Sequence, residues 1–116
     1  MSTRAEQEHR SAEGMVERRR SIAEGIGSAR SRREAVSTYR TMTACVKEVH
    51  KHYRNILRAV NNEDAGHALD VLELLHECKR WREDARAELD TWAVTDDEVA
   101  QVNKEVGVDA EYAELL

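Results

Sequence analysis

The residues best suited to chemistry are a Glu-x-x-His step (Glu73-Leu74-Leu75-His76), four further histidines, two cysteines and a cluster of N-terminal arginines. Positions i and i+3 of a helix project to one side, and helical bundles use that spacing to present a carboxylate and an imidazole to a metal. His50 and His52 are two residues apart, so a helix turns them about 200° from each other and they cannot chelate together. Cys45 and His50 are five apart on one helix, and the spacing places no acid to orient the imidazole, so no Cys–His nucleophile is expected. Nor is there a glycine-rich phosphate loop. The chain therefore reads as a non-enzyme with no cofactor. Arg18, Arg19, Arg20, Arg30, Arg32 and Arg33 fall within sixteen residues. Guanidinium groups at that density suit nucleic-acid phosphates or the carboxylates of an acidic partner.

The elements that must position these residues are dominated by one stretch, Ser31 to Trp92. Apolar side chains recur at Ala35, Tyr39, Met42, Val46, Val49, Tyr53, Ile56 and Val60, in steps of 4, 3, 4, 3, 4, 3, 4. That is an unbroken heptad seam. Ala68, Val71, Leu75, Cys78, Ala85, Leu89 and Trp92 keep the same spacing, with Arg82 alone out of character. Residues 61–66, Asn-Asn-Glu-Asp-Ala-Gly, suit the loop of an αα-hairpin. Folding there pairs Val60 with Ala68, Ile56 with Val71, Tyr53 with Leu75, Val49 with Cys78, Met42 with Ala85, Tyr39 with Leu89 and Ala35 with Trp92. In that register Cys45 is displaced from Cys78 by a turn, so no disulfide is expected and both thiols read as small core residues. Arg82 is expected to pack its stem at the seam edge and carry its guanidinium outward, with Trp81 filling the core; the sharper alternative is a buried pair with Glu48 or Glu83.

The flanks are also helical. Thr3-Arg4-Ala5-Glu6 is a capping box that predicts a helix from about Arg4 to Glu24, striped by Ala5, Ala12, Val16, Ile22 and Ile26 and ended by Gly25 and Gly27. Ser31 to Glu34 and Thr95 to Glu98 are further capping boxes. The last opens a short helix carrying Val99, Val102 and Val106, with Gly107 at C′, and Asp109 can cap a final turn carrying Tyr112, Leu115 and Leu116. The helix after the loop can be capped by Asn62 or Asp64. The fold class is all-α: an antiparallel, coiled-coil-like hairpin extended to a three- or four-helix bundle. One domain spans 1–116, with a basic N-terminal helix (1–30), the hairpin (31–93) and an acidic C-terminal segment (95–116).

Two resemblances attach to these residues. The hairpin layout with Glu73 and His76 resembles the encapsulated ferritin-like proteins, which implies iron held between two subunits. With Leu75 and Cys78 in the seam, however, Glu73 and His76 point outward, and beyond its capping Glu34 the first hairpin helix offers only Glu48 as an extra carboxylate. A solvated pair and no metal is the expectation, and the other histidines read as scattered surface residues. Ile22-Ala23-Glu24-Gly25-Ile26-Gly27, with Ala12 to Met15 upstream, resembles the turn of the helix-turn-helix DNA-binding family. That resemblance implies Arg30, Arg32 and Arg33 facing the groove. The match departs by two extra residues between Gly14 and Ile22, and by Arg33 where the recognition helix buries a valine.

Composition narrows the function further. Charged residues make up 35% and aromatics 4%, with no Phe or Pro, so long amphipathic helices use the thin apolar supply best. No apolar run suits a membrane span or signal peptide, and a cytoplasmic setting is expected. Residues 1–40 carry nine bases and six acids (+3), and residues 41–116 nine bases and seventeen acids (−8). The second hairpin helix is apolar beyond its seam, at Leu69, Leu72, Leu74 and Trp81, a face one partner helix cannot cover. The reading that follows is an interaction protein that self-associates or docks on a protein partner through that face, with nucleic-acid binding through the arginines as the rival. A peptide from Ser31 to Thr95 is expected to be strongly helical by circular dichroism. Val49→Asp should unfold it, because an unpaired carboxylate in a dry layer costs several kcal/mol.

Overall fold

The computed structural model describes residues 3–59 and 65–108. These form four helices: α1 (Arg4–Glu24), α2 (Arg32–Ala59), α3 (Ala65–Thr91) and α4 (Asp96–Val106). The fold is all-α, and the bounds follow the capping chemistry. The hydroxyls of Thr3, Ser31 and Thr95 accept from the backbone N–H groups of Glu6, Glu34 and Glu98. Thr95 and Glu98 complete a reciprocal box. Gly107 closes α4 at φ 87°, and the Lys47 ammonium donates to the carbonyl of Val106, a cation where the helix dipole is negative. At the end of α3, Ala93 takes the left-handed conformation (φ 54°) that glycine adopts without strain. The expected caps Asn62 and Asp64, seam residue Val60, and the final turn with Asp109, Tyr112, Leu115 and Leu116 lie outside the described residues.

The hairpin of α2 and α3 is the axis of the bundle. Ala35, Tyr39, Met42, Val46, Val49 and Ile56 are buried from α2, and Ala68, Val71, Leu75, Cys78, Ala85 and Leu89 from α3. Tyr53 and Trp92 are half-buried at the edge of the same seam. The core divides into a half toward the hairpin tip, which includes Ala5, Ala12 and Val16 of α1, and a half toward the base, which includes Val94, Val99 and Val102. Trp81 packs against both.

The short helices take opposite sides of this hairpin. Glu8 reaches His52 and Asn55, Arg20 reaches Glu77, and the rings of His9 and His67 meet edge-on. On each hairpin helix these contacts lie one residue before the seam positions, so α1 covers that side. Helix α4 bonds the other side and runs parallel to α2: Arg32 to Glu98, Tyr39 to Asn103, Arg40 to Glu105, Lys47 to Val106. The join between α1 and α2 is pinned from α3. The Glu88 carboxylate, 9% exposed, accepts from the backbone N–H groups of Gly27 and Ala29. Gly27 has φ 92°, and Ile22, read as part of the α1 stripe, is instead 37% exposed. Glu88→Gln replaces one accepting oxygen by a donor facing an N–H group. It should cost about 1–3 kcal/mol in urea unfolding with an unchanged m-value.

Candidate functional site

The four residues read as one apolar face divide between the two sides of α3. Leu74 precedes seam residue Leu75, and with Trp81 it packs against the tip-half core on the side α1 covers. The Arg20 guanidinium lies 5.6 Å over the Trp81 ring. Leu69 and Leu72 follow seam residues Ala68 and Val71 and turn to the opposite side. Leu72 is half-buried and Leu69 is 64% exposed. Leu57, which follows Ile56 on α2, turns to that same side and is 50% exposed. Helix α4 covers the base half of this side only, ending beside Lys47. Leu57, Leu69 and Leu72 therefore form an apolar patch on the open half, at the tip.

Farther from the tip the same side becomes cationic. Burial, together with Arg54 and Lys79, holds the His50 imidazole below its usual range. Beyond it a cavity of about 480 Å³ between α2, α3 and α4 is lined by Tyr39, Lys79, Arg82, Arg86 and Asn103, among others. Arg82 donates to Thr43, Tyr39 and Asn103, and its guanidinium stacks 5.8 Å over Tyr39. It neither swings out to solvent nor pairs with Glu48 or Glu83. Its partners are neutral, and Trp81 packs half-buried at the core edge rather than filling the core. No Cys, Ser or His lines the cavity, and Glu83 stands among its cations, so the lining is mixed in charge and without a strong nucleophile.

The arginines disperse. Arg20 is held by Glu17 and Glu77, and Arg32 by Glu98, whose carboxyl is drawn below its usual range first by that contact and next by the Thr95 backbone. Arg18, Arg30 and Arg33 are exposed and Arg19 half-buried. The first turn of α2, which the helix-turn-helix resemblance would place in a groove, faces α4 through Arg32 and buries Ala35. Glu73 and His76 are exposed, and among the described residues no group of three or more His, Cys, Asp or Glu is placed to hold a metal. No described helix is long and apolar enough to cross a membrane.

Two pairs of small groups stand otherwise than their spacing implies, and Glu88 has a role its position does not announce. His52 and His67 are not surface residues: both are half-buried under α1, paired with Glu8 and His9. The role of Glu88 is absent from the sequence reading, since a lone carboxylate beside a seam looks solvated. Cys45 and Cys78 are free and buried as expected, but their sulfurs are 3.6 Å apart rather than offset by a turn. A knob on one helix enters a hole bounded by residues a turn apart. Cys78 thus reaches Cys45 as well as Val49.

The sign of the pH response follows from His50. Its folded form resists protonation more than the unfolded chain does, so its effect on stability is absent above about pH 6.5. Stability then falls between that pH and the lower folded value, and levels off below it. His50→Gln should flatten thermal midpoints between pH 7 and 5 relative to the parent chain. No protein-family model matches the chain, and no curated protein or solved structure matches it, so function has to be read from this geometry.

Proposed function

We propose that the chain is a non-enzymatic, cytoplasmic helical assembly protein that pairs with a second copy of itself through the open half of the hairpin face. The observation that carries this reading is the exposure of Leu57 and Leu69 beside Leu72, on the side of the hairpin that α1 leaves bare and α4 covers only toward the base. Large exposed apolar side chains grouped on one helical face are the usual mark of a partner surface.

Charge supports a second copy as the occupant. The outer edge of α2 near the tip carries Lys51, Arg54 and Arg58, and Glu73 stands on the outer edge of α3. A two-fold axis along the bundle lays α2 of one copy against α3 of the other. The basic edge of each copy then meets Glu73 of the other, while the leucines meet at the centre. Four hairpin helices would close a four-helix bundle at the tips. Nucleic-acid binding is the weaker reading, since Arg20 and Arg32 are already engaged by carboxylates and the net charge of −5 opposes a polyanion.

Sedimentation of the full chain at micromolar concentration should show a dimer. The double change Leu57→Glu and Leu69→Glu should raise its dissociation constant at least a hundredfold with helicity unchanged, because each buried leucine contributes about 1.5–3 kcal/mol. A monomer at high concentration would defeat the reading. Submicromolar duplex binding at physiological salt, abolished by changing Arg30, Arg32 and Arg33 to Ala, would favour the nucleic-acid alternative.

A further inference from the structure

Two thiols in van der Waals contact from different helices are chemically distinct from two scattered cysteines. The sulfurs of Cys45 on α2 and Cys78 on α3 are 3.6 Å apart, and neither is oxidised. A disulfide needs them at about 2.05 Å. The two sites differ in access. Cys45 is 2% exposed and Cys78 0%, so both sulfurs are covered and the difference lies in the space beside Cys45. Cys45 lies at the wall of a cavity of about 260 Å³ between α1 and α2, with Met15 on one side, Ala44 and Thr41 on the other, and Arg19, Arg40 and Glu48 completing its lining. A small polar reagent therefore meets Cys45 first, with Cys78 directly behind it.

The protonation states have the same asymmetry. The hydrogen bond shared with Cys78, with the charge of Arg19, outweighs burial and favours the thiolate at Cys45. The bond to Cys45 and burial keep the proton on Cys78. Thiolate, rather than thiol, is the nucleophile toward peroxides.

We propose that Cys45 and Cys78 are a hydroperoxide-reactive dithiol, with Cys45 attacking and Cys78 resolving, and that the product is a disulfide joining α2 to α3. In the first step the Cys45 Sγ attacks one oxygen of hydrogen peroxide. The S–O bond forms as the O–O bond breaks, and the departing hydroxide takes up the proton lost from Cys45 and leaves as water. Cys45 is then a sulfenic acid. In the second step the Cys78 Sγ attacks the Cys45 sulfur. The S–S bond forms, the S–O bond breaks, and the hydroxyl leaves with the Cys78 proton as a second water. The two thiols lose two electrons and two protons together, and one peroxide is reduced to two waters. The link spans a sequence separation of 33 residues.

The test treats the folded full chain with hydrogen peroxide in the presence of a sulfenic-acid trap and follows intact and peptide masses. The parent chain should lose two hydrogens, yield a linked Cys45–Cys78 peptide pair and capture little trap. Its thermal midpoint should rise, and a dithiol reductant should reverse the rise. Cys78→Ser should accumulate trapped sulfenic acid at Cys45, and Cys45→Ser should react more slowly than Cys78→Ser. Cys45→Ala and Cys78→Ala give the same comparison if a buried hydroxyl disturbs folding. A parent chain that forms no linked peptide, or single variants that react at equal rates, would overturn the proposal. So would oxidation whose rate rises in step with unfolding in urea, because the thiols would then react only in the open chain.

Discussion

The dry contact between α2 and α3 is the constraint from which the other contacts take their place. It is narrow, and much of it is built from small side chains: Ala35, Cys45, Ala68, Cys78 and Ala85 are all buried there. A chain without phenylalanine cannot fill a wide core, so two helices must approach closely for their alanines and valines to touch. A pair of helices still leaves two open sides, and the outer helices have few large apolar groups to cover them with. They are fastened largely by polar contacts at their edges. On one side these are Glu8 with His52 and Asn55, and Arg20 with Glu77. On the other they are Tyr39 with Asn103, Lys47 with the Val106 carbonyl, and Arg86 with Asp96. Of these only Arg86 with Asp96 is exposed, yet each tie adds a net increment of about 1 kcal/mol, so the apolar seam carries most of the stability and the polar ties decide which helix lies where.

The hairpin was legible because its information is local and repeated. Each step of three or four residues places the next apolar side chain on one face, and the steps in α2 and α3 agree independently in register. The capping hydroxyls were legible for the same reason, since a box spans only four residues. The division of the Leu69, Leu72, Leu74 and Trp81 face was not legible. Those residues flank the seam by one position on either side, and nothing in α3 itself says which flank α1 will occupy. That choice is made by Glu8, His9 and Arg20, which are about fifty to sixty residues distant in sequence from their partners.

Glu88 and Arg82 were obscure for a different reason. Both are charged residues at positions where a pattern search expects solvent or an ion pair, and each has found neutral partners instead. Glu88 accepts from the exposed N–H groups of a turn. Arg82 donates to a hydroxyl, a phenol and an amide. Neutral hydrogen bonds can hold a half-buried charge when several converge, but such convergence depends on three elements meeting and leaves no mark in the spacing of any one of them.

Trp81 gives the bundle a property that neither half of the core has alone. The tip half and the base half are separate groups of buried side chains, and a long hairpin with two such groups could lose one while keeping the other. One indole packed against both removes that independence. Loosening the tip strips contacts from the same ring that the base half leans on, and the penalty crosses the middle of the molecule. The consequence is cooperativity: the ends of the hairpin should open together rather than in sequence, and the ring's own fluorescence would follow the whole transition rather than a local event.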